Sequence, residues 1–204
     1  MSFNIRKIFY AEGIVFELTR GIIFLILILI IINFFIATIF VVQGASMQPN
    51  FKTGDVVLIN KISYLVGKPQ RGDIVALKFP GDPEKQKYIK RLIGLPEEIL
   101  EIKNSQIFIN GKLLLEPYNF CLPVLPDMKT IIGNDEFFFI GDNRPNSNDS
   151  RSWGTARKND LIGKAFFNLL PASSSYQGYE QCLTNRSEIN TSRWGFIAPV
   201  YYNF

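Results

Sequence analysis

The 204-residue chain contains no histidine. That absence excludes a Ser-His-Asp triad, a Cys-His dyad, an H-E-x-x-H zinc site and any imidazole general base. An enzyme built on this sequence must move its protons with another group. Cysteine is almost as scarce. The two present, Cys121 and Cys182, lack the C-x-x-C spacing of a zinc or thioredoxin-like centre, and their spacing leaves open whether they pair. Charge of one sign is also in short supply, with 22 Lys+Arg against 18 Asp+Glu spread along the chain, so nucleic acid is not an indicated partner. Absent too are G-x-G-x-x-G, G-x-x-x-x-G-K-[ST], D-[ST]-G and EF-hand spacing. Nothing in the sequence requires a cofactor or a metal.

Apolar residues are plentiful, at 47% of the chain, which excludes disorder. Many of them stand in one run from Gly21 to Val42, GIIFLILILIIINFFIATIFVV, with only Asn33 and Thr38 as polar interruptions. As a helix these residues would cover about 33 Å, enough to cross the hydrocarbon core of a bilayer. A run this long and apolar on every face favours a membrane span over a buried helix of a soluble protein. A cleaved secretory signal would be shorter and end in an A-x-A-like site, which Val42-Gln43-Gly44 matches poorly. The sequence therefore predicts an N-terminal segment 1–20, an uncleaved single transmembrane anchor over 21–43, and a domain over 44–204. The lipid bilayer is an expected partner. Arg6, Lys7 and Arg20 precede the span, while Lys52, Lys61, Lys68 and Arg71 follow it. A long following segment translocates largely regardless of its charge. A single anchor near the start then favours a cytoplasmic N-terminus, with the domain outside the plasma (inner) membrane.

Beyond the anchor the pattern turns to short β-type runs: DVVLIN, DIVALKF, KYIKRLI, EFFFIG and IGKAFFNLL, punctuated by Gly and Pro. Asn110-Gly111 between the apolar runs of QIFINGKLLLE is a two-residue hairpin signal, inside a region about 98–135 that reads as a small insertion. No helical periodicity of ten or more residues competes. The expected fold is mainly β, a coiled or barrel-like antiparallel domain behind one helix.

Three stretches could carry chemistry. Gly44-Ala45-Ser46-Met47-Gln48-Pro49 leads small residues into a serine and a turn-forming proline; alone, it reads as a solvated membrane-proximal turn. In KYIKRLIGLP, period-2 alternation puts Tyr88, Lys90 and Leu92 on one face of a strand. Burial there would favour the neutral amine over its ordinary value near 10.4; an edge-strand lysine reaching water is the alternative. Finally, Gly141 to Arg151 crowds short hydrogen-bonding side chains behind the apolar EFFFI. It is either a solvated loop or an orienting shell.

Together these stretches resemble the bacterial type I signal peptidase (leader peptidase) family, membrane-anchored serine proteases with a Ser/Lys dyad. Ser46-Met47-Gln48-Pro49 is similar to that family's S-M-x-P, Arg71-Gly72-Asp73-Ile74-Val75 to R-G-D-I-V, and Lys90-Arg91-Leu92-Ile93-Gly94-Leu95-Pro96 to K-R-x-x-G-L-P. Gly141-Asp142-Asn143 with Ser147, Asp149, Ser150 and Arg151 is similar to G-D-N-x-x-x-S-x-D-S-R. The resemblance brackets residues 44–151. It implies Ser46 as nucleophile and Lys90 as general base in acyl-enzyme chemistry. It implies the Ser46 backbone N–H as an oxyanion donor. A hydroxyl two residues earlier assists in some members, and here that position is Gly44, which has none. Ser147 would orient the Lys90 ammonium, and an Asp142–Arg91 ion pair with Asp149 nearby would hold the shell. Phe40, Val42, Val57, Ala76 and Ile89 would wall the substrate pockets. The implied substrates are preproteins, whose signal peptides are cut after small residues at −1 and −3. One departure is Glu97-Glu98, where many members have Gly-Asp, which implies a different turn. Beyond Leu170 no family motif appears, and the aromatics Trp194, Tyr201 and Tyr202 favour a core role over an interfacial one. Two alternatives accompany this reading: a peptidase of the same family dedicated to one secretion or conjugation substrate, and an inactive module that captures signal peptides.

Overall fold

The structure, a computed structural model, describes residues 5–84, 86–116, 125–172 and 195–197. Cys121, Cys182, Trp194, Tyr201 and Tyr202 lie outside the described residues. The chain divides into two compact units, 1–37 and 38–204.

The first unit is helical. α1 spans Ile5–Ile31, and its stretch Ile14–Ile31 is long and apolar enough to cross a membrane. Large side chains such as Ile22, Phe24, Leu25 and Leu29 are exposed along it, as a lipid-facing helix requires. A single π-type turn, Ile32–Ile36, ends the helix, and Ala37 is extended with φ −149° and ψ 153°. The apolar run of residues 21–42 is therefore not one helix. Its last residues form the strand β1, Ala37–Val41. The reason lies in the composition, since Ile, Phe, Thr and Val suit a pleated sheet as well as they suit lipid. The helix also begins well before residue 21, because no proline interrupts the N-terminal segment.

The second unit is built on antiparallel strands. β2 is Val56–Asn60, followed by the one-turn helix α2, Ser63–Val66. β3 (Ile74–Lys78) and β4 (Lys87–Gly94) come next. A small sheet then intervenes, made of β5 (Ile99–Lys103), β6 (Gln106–Ile109), β7 (Lys112–Leu113) and β8 (Met128–Ile131). The chain returns as β9 (Glu136–Ile140), passes the short helix α3 (Ser150–Trp153), and adds β10 (Ala156–Arg157), the long β11 (Leu161–Leu170) and β12 (Gly195–Phe196). Hydrogen bonding orders the main sheet β1-β2-β11-β3-β4-β9-β10, with β12 on β11, and the small one β7-β6-β5-β8. Asn110 and Gly111, with φ of 50° and 80°, make the tight turn between β6 and β7.

The main sheet curls. Its register shifts within β11 between Ala165 and Phe167 and again between Asn168 and Leu170, and in β4 between Leu92 and Gly94. Each extra residue bends and twists the strand that carries it. Two cores result on the main sheet, one around Val42, Met47, Phe51, Val57, Ile59, Ala76 and Ile89, the other around Tyr64, Val75, Leu77, Leu92 and Phe139. A third joins the small sheet through Leu100, Ile102, Ile107 and Ile109 to Ile93, Phe138 and Ile140. β4 thus serves all three cores, which leaves its last six residues, Ile89–Gly94, buried.

Candidate active site

Ser46 stands in a turn that the core holds from below. Val42 N–H donates to the Asp55 carbonyl and Gly54 N–H to the Val42 carbonyl, each at 2.8 Å, closing the base of the loop. Met47 and Phe51 drop their side chains into the first core, and Phe51 N–H donates to the Met47 carbonyl at 2.8 Å. The serine is left half-buried between two anchors. Gly44 has φ +82°, a conformation that penalises any residue bearing a Cβ. The missing hydroxyl at that position accordingly goes with the backbone of the turn.

Lys90 lies on β4 between β3 and β9, an inner strand, so it cannot reach water as an edge residue would. It is 3% exposed. Its Nζ is 2.5 Å from Ser46 Oγ, across 44 residues of sequence, and rests over the Tyr88 ring, 5.2 Å from the centroid. Burial pushes the amine down from 10.5 to about 8; Asp149 and Asp142 pull it back up, and Arg151 opposes them. Desolvation wins because neither carboxylate is free to contact the amine. Asp142 binds Arg91 through two bonds of 2.7 Å, with both side chains buried. Asp149 binds Arg151 at 2.7 and 2.8 Å.

The 141–151 loop clamps the serine turn. Asn143 N–H donates to the Ser46 carbonyl and Asn143 Nδ2 to the Ala45 carbonyl, both at 2.9 Å. Asn50 Nδ2 donates to Asp142 Oδ2 at 2.7 Å. Gly141 donates its N–H to Asp149 Oδ2 at 3.0 Å. A Cβ on Gly141 would meet Ser147 Oγ at 2.2 Å and the Ser46 carbonyl oxygen at 2.5 Å, so the loop approaches the turn as closely as backbone allows. Ser147 is therefore beside the nucleophile turn, but its buried hydroxyl has no hydrogen-bond partner among the described residues. The expected bond to Lys90 is not formed.

A groove of about 670 Å³ opens over this pair, lined by Ile39, Phe40 and Val41 of β1, by Gln43 and Ser46, and by residues 86–90. Three strands separate β1 from β4 in the sheet, and the curl brings both to the same groove. Phe40 and Ile89, named from the sequence, line it. Val42, Val57 and Ala76 do not: each is at most 1% exposed and belongs to the core that Ile89 shares. Ile39, Val41, Gln43, Gln86, Lys87 and Tyr88 were not named as groove residues from the sequence. Of these, Tyr88 was legible from its place two residues before Lys90 on the same strand face.

A family model described as signal peptidase, peptidase S26, matches residues 15–170. The chain belongs to this family. It is a peptidase, and the apolar helix fits the membrane attachment of that family. Among its relatives, a probable signal peptidase I-2 of Synechocystis is 34% identical over 76% of this chain and 73% of its own length. A signal peptidase I of Bacillus amyloliquefaciens is 34% identical over 76% of this chain and 85% of its own. A crystal structure of a signal peptidase I from Enterococcus faecalis aligns with 48% of this chain and 97% of its own at 32% identity, with a TM-score of 0.44.

Proposed function

We propose that this peptidase removes signal peptides from preproteins with Ser46 as nucleophile and Lys90 as general base. The observation that carries the proposal is the 2.5 Å approach of Lys90 Nζ to Ser46 Oγ inside a groove that can seat an extended peptide. A neutral amine takes the Ser46 proton as Oγ attacks the scissile carbonyl, and delivers it to the leaving amine as the C–N bond breaks. The acyl group stays on Oγ until water, deprotonated by the same lysine, displaces it. The Ser46 backbone N–H serves the developing oxyanion, and Gly44 contributes no side-chain donor. Arg91, Asp142 and Asp149 hold the loop that fixes the serine turn, with Ser147 completing the close contact at Gly141. Phe40 and Ile89 supply shallow apolar walls that suit small residues at −1 and −3.

α1 anchors the enzyme in the plasma (inner) membrane with its N-terminus cytoplasmic and the β-domain outside, where the apolar segment of a preprotein occupies the same bilayer. Sharing that surface raises the effective concentration of the two partners. The test is processing of a preprotein in detergent by the wild type, Ser46→Ala and Lys90→Ala. Each substitution should abolish cleavage, and near wild-type cleavage by either variant overturns the proposal. A panel of unrelated preproteins then separates a general enzyme, which cuts most of them, from one dedicated to a single substrate.

A further inference from the structure

The geometry points to Tyr88 as a positioning residue for the base: the face of its ring carries the charge that Lys90 acquires when it takes the Ser46 proton. This rests on Lys90 acting as the base. Nζ lies over the ring at 5.2 Å from the centroid, inside the range in which an aromatic quadrupole attracts a cation. The arrangement follows from the strand, since residues 88 and 90 of β4 project to one side.

The ring is itself held. It packs on Phe79 with centroids 5.2 Å apart and planes tilted by 54°, and Phe79 meets Trp153 edge-on at 5.8 Å and 82°. Trp153 ends α3, the helix whose first residues, Ser150 and Arg151, close the 141–151 loop. An aromatic chain therefore links the element that clamps Ser46 to the ring over Lys90. Asp149 and Asp142 favour the Lys90 ammonium and Arg151 disfavours it. Lys87 and Gln86 line the same groove, and the Ser46 hydroxyl is in contact. Among the described residues Nζ has no carboxylate at hydrogen-bond distance, so the ring, 5.2 Å away, is placed to stabilise new positive charge without quenching the base. A neutral amine gains little from the ring and the ammonium gains more. The stabilisation thus appears with proton transfer, and it belongs in kcat rather than in substrate binding.

Removing the ring would also admit water, which raises the amine's value and confuses the sign. A series that keeps the shape avoids this. Phenylalanine and its mono- to pentafluorinated analogues are placed at position 88 of the full chain in detergent, and kcat and KM for a preprotein are followed against pH. Fluorine withdraws the ring's negative face at nearly constant volume. The acid limb should move stepwise to lower pH, by about half to one unit over the series, with plateau kcat falling several-fold and KM changing little. Tyr88→Trp should move the limb the other way. A limb fixed across the series, with Lys90→Ala inactive, overturns the role of Tyr88 and leaves the base intact. Cleavage by Lys90→Ala overturns both.

Discussion

Proton concentration is the simplest perturbation of the site, and Lys90 gives it a magnitude. With its amine near 8, about half of the molecules carry the neutral base at pH 8, roughly one in ten at about pH 7 and one in a hundred at about pH 6. Cleavage under subsaturating substrate should therefore rise about 50-fold between about pH 6 and about pH 8, and level off above about pH 9. Stability moves differently. The folded value lies below the unfolded 10.5, so burying the ammonium opposes folding by about 3 kcal/mol. That opposition is fully present below the folded value of about 8 and is lost as pH rises toward the unfolded value. Below about pH 8, where most of the climb occurs, it is nearly constant, so unfolding of the site does not imitate the rate profile. The assay is preprotein cleavage in detergent over this range, with circular-dichroism melts in parallel. A flat rate profile alongside unchanged melts refutes the reasoning.

Gly141→Ala should cost at least about tenfold in kcat, because its Cβ meets the Ser46 carbonyl and Ser147 Oγ and must displace the nucleophile turn; wild-type kcat contradicts the clamp. Asp142→Ala leaves Arg91 charged and buried, and should cost about 3–5 kcal/mol in denaturant unfolding. Arg91→Met with Asp142→Leu should recover much of that loss, and a double variant as unstable as the single one speaks against a charge origin. Glu97 holds φ +66°, so Glu97→Gly should raise stability by about 1 kcal/mol by relieving left-handed backbone; a lower melting temperature contradicts that strain.

What was legible in the sequence was chemistry tied to backbone geometry. Asn110-Gly111 demands a particular turn, and the turn is there. Alternation placed Tyr88 and Lys90 on one face, and the amine does lie over the ring. The motifs around Ser46, Lys90 and Asp142 are far apart in sequence, but β4 and the 141–151 loop bring them to one turn. Apolar residues carried less information. Nothing in the run around Ile36 distinguishes residues that face lipid from residues that pair in a sheet, so the end of α1 was not readable. Likewise Val42, Val57 and Ala76 have the same character as Phe40 and Ile89, and only the curl of β11 decides which of them face the groove. The turn at Glu97-Glu98 was expected to differ, but its left-handed backbone at Glu97, φ +66°, was not readable from a glutamate. Its anchor was less obvious: Glu98 accepts from Leu95 N–H at 2.8 Å and pairs with Arg71 at 2.5 Å. The unpartnered Ser147 hydroxyl, by contrast, had no signal in the sequence.

The covalent intermediate tests the central claim most directly. A preprotein is mixed with enzyme in detergent, quenched in acid within the first turnover, and the enzyme is mapped by peptide mass spectrometry. Ser46 as nucleophile predicts the signal peptide esterified through its C-terminal residue to Ser46, with no adduct in Ser46→Ala and almost none in Lys90→Ala. An adduct on another residue, or normal cleavage by an enzyme that acylates nowhere, would contradict it.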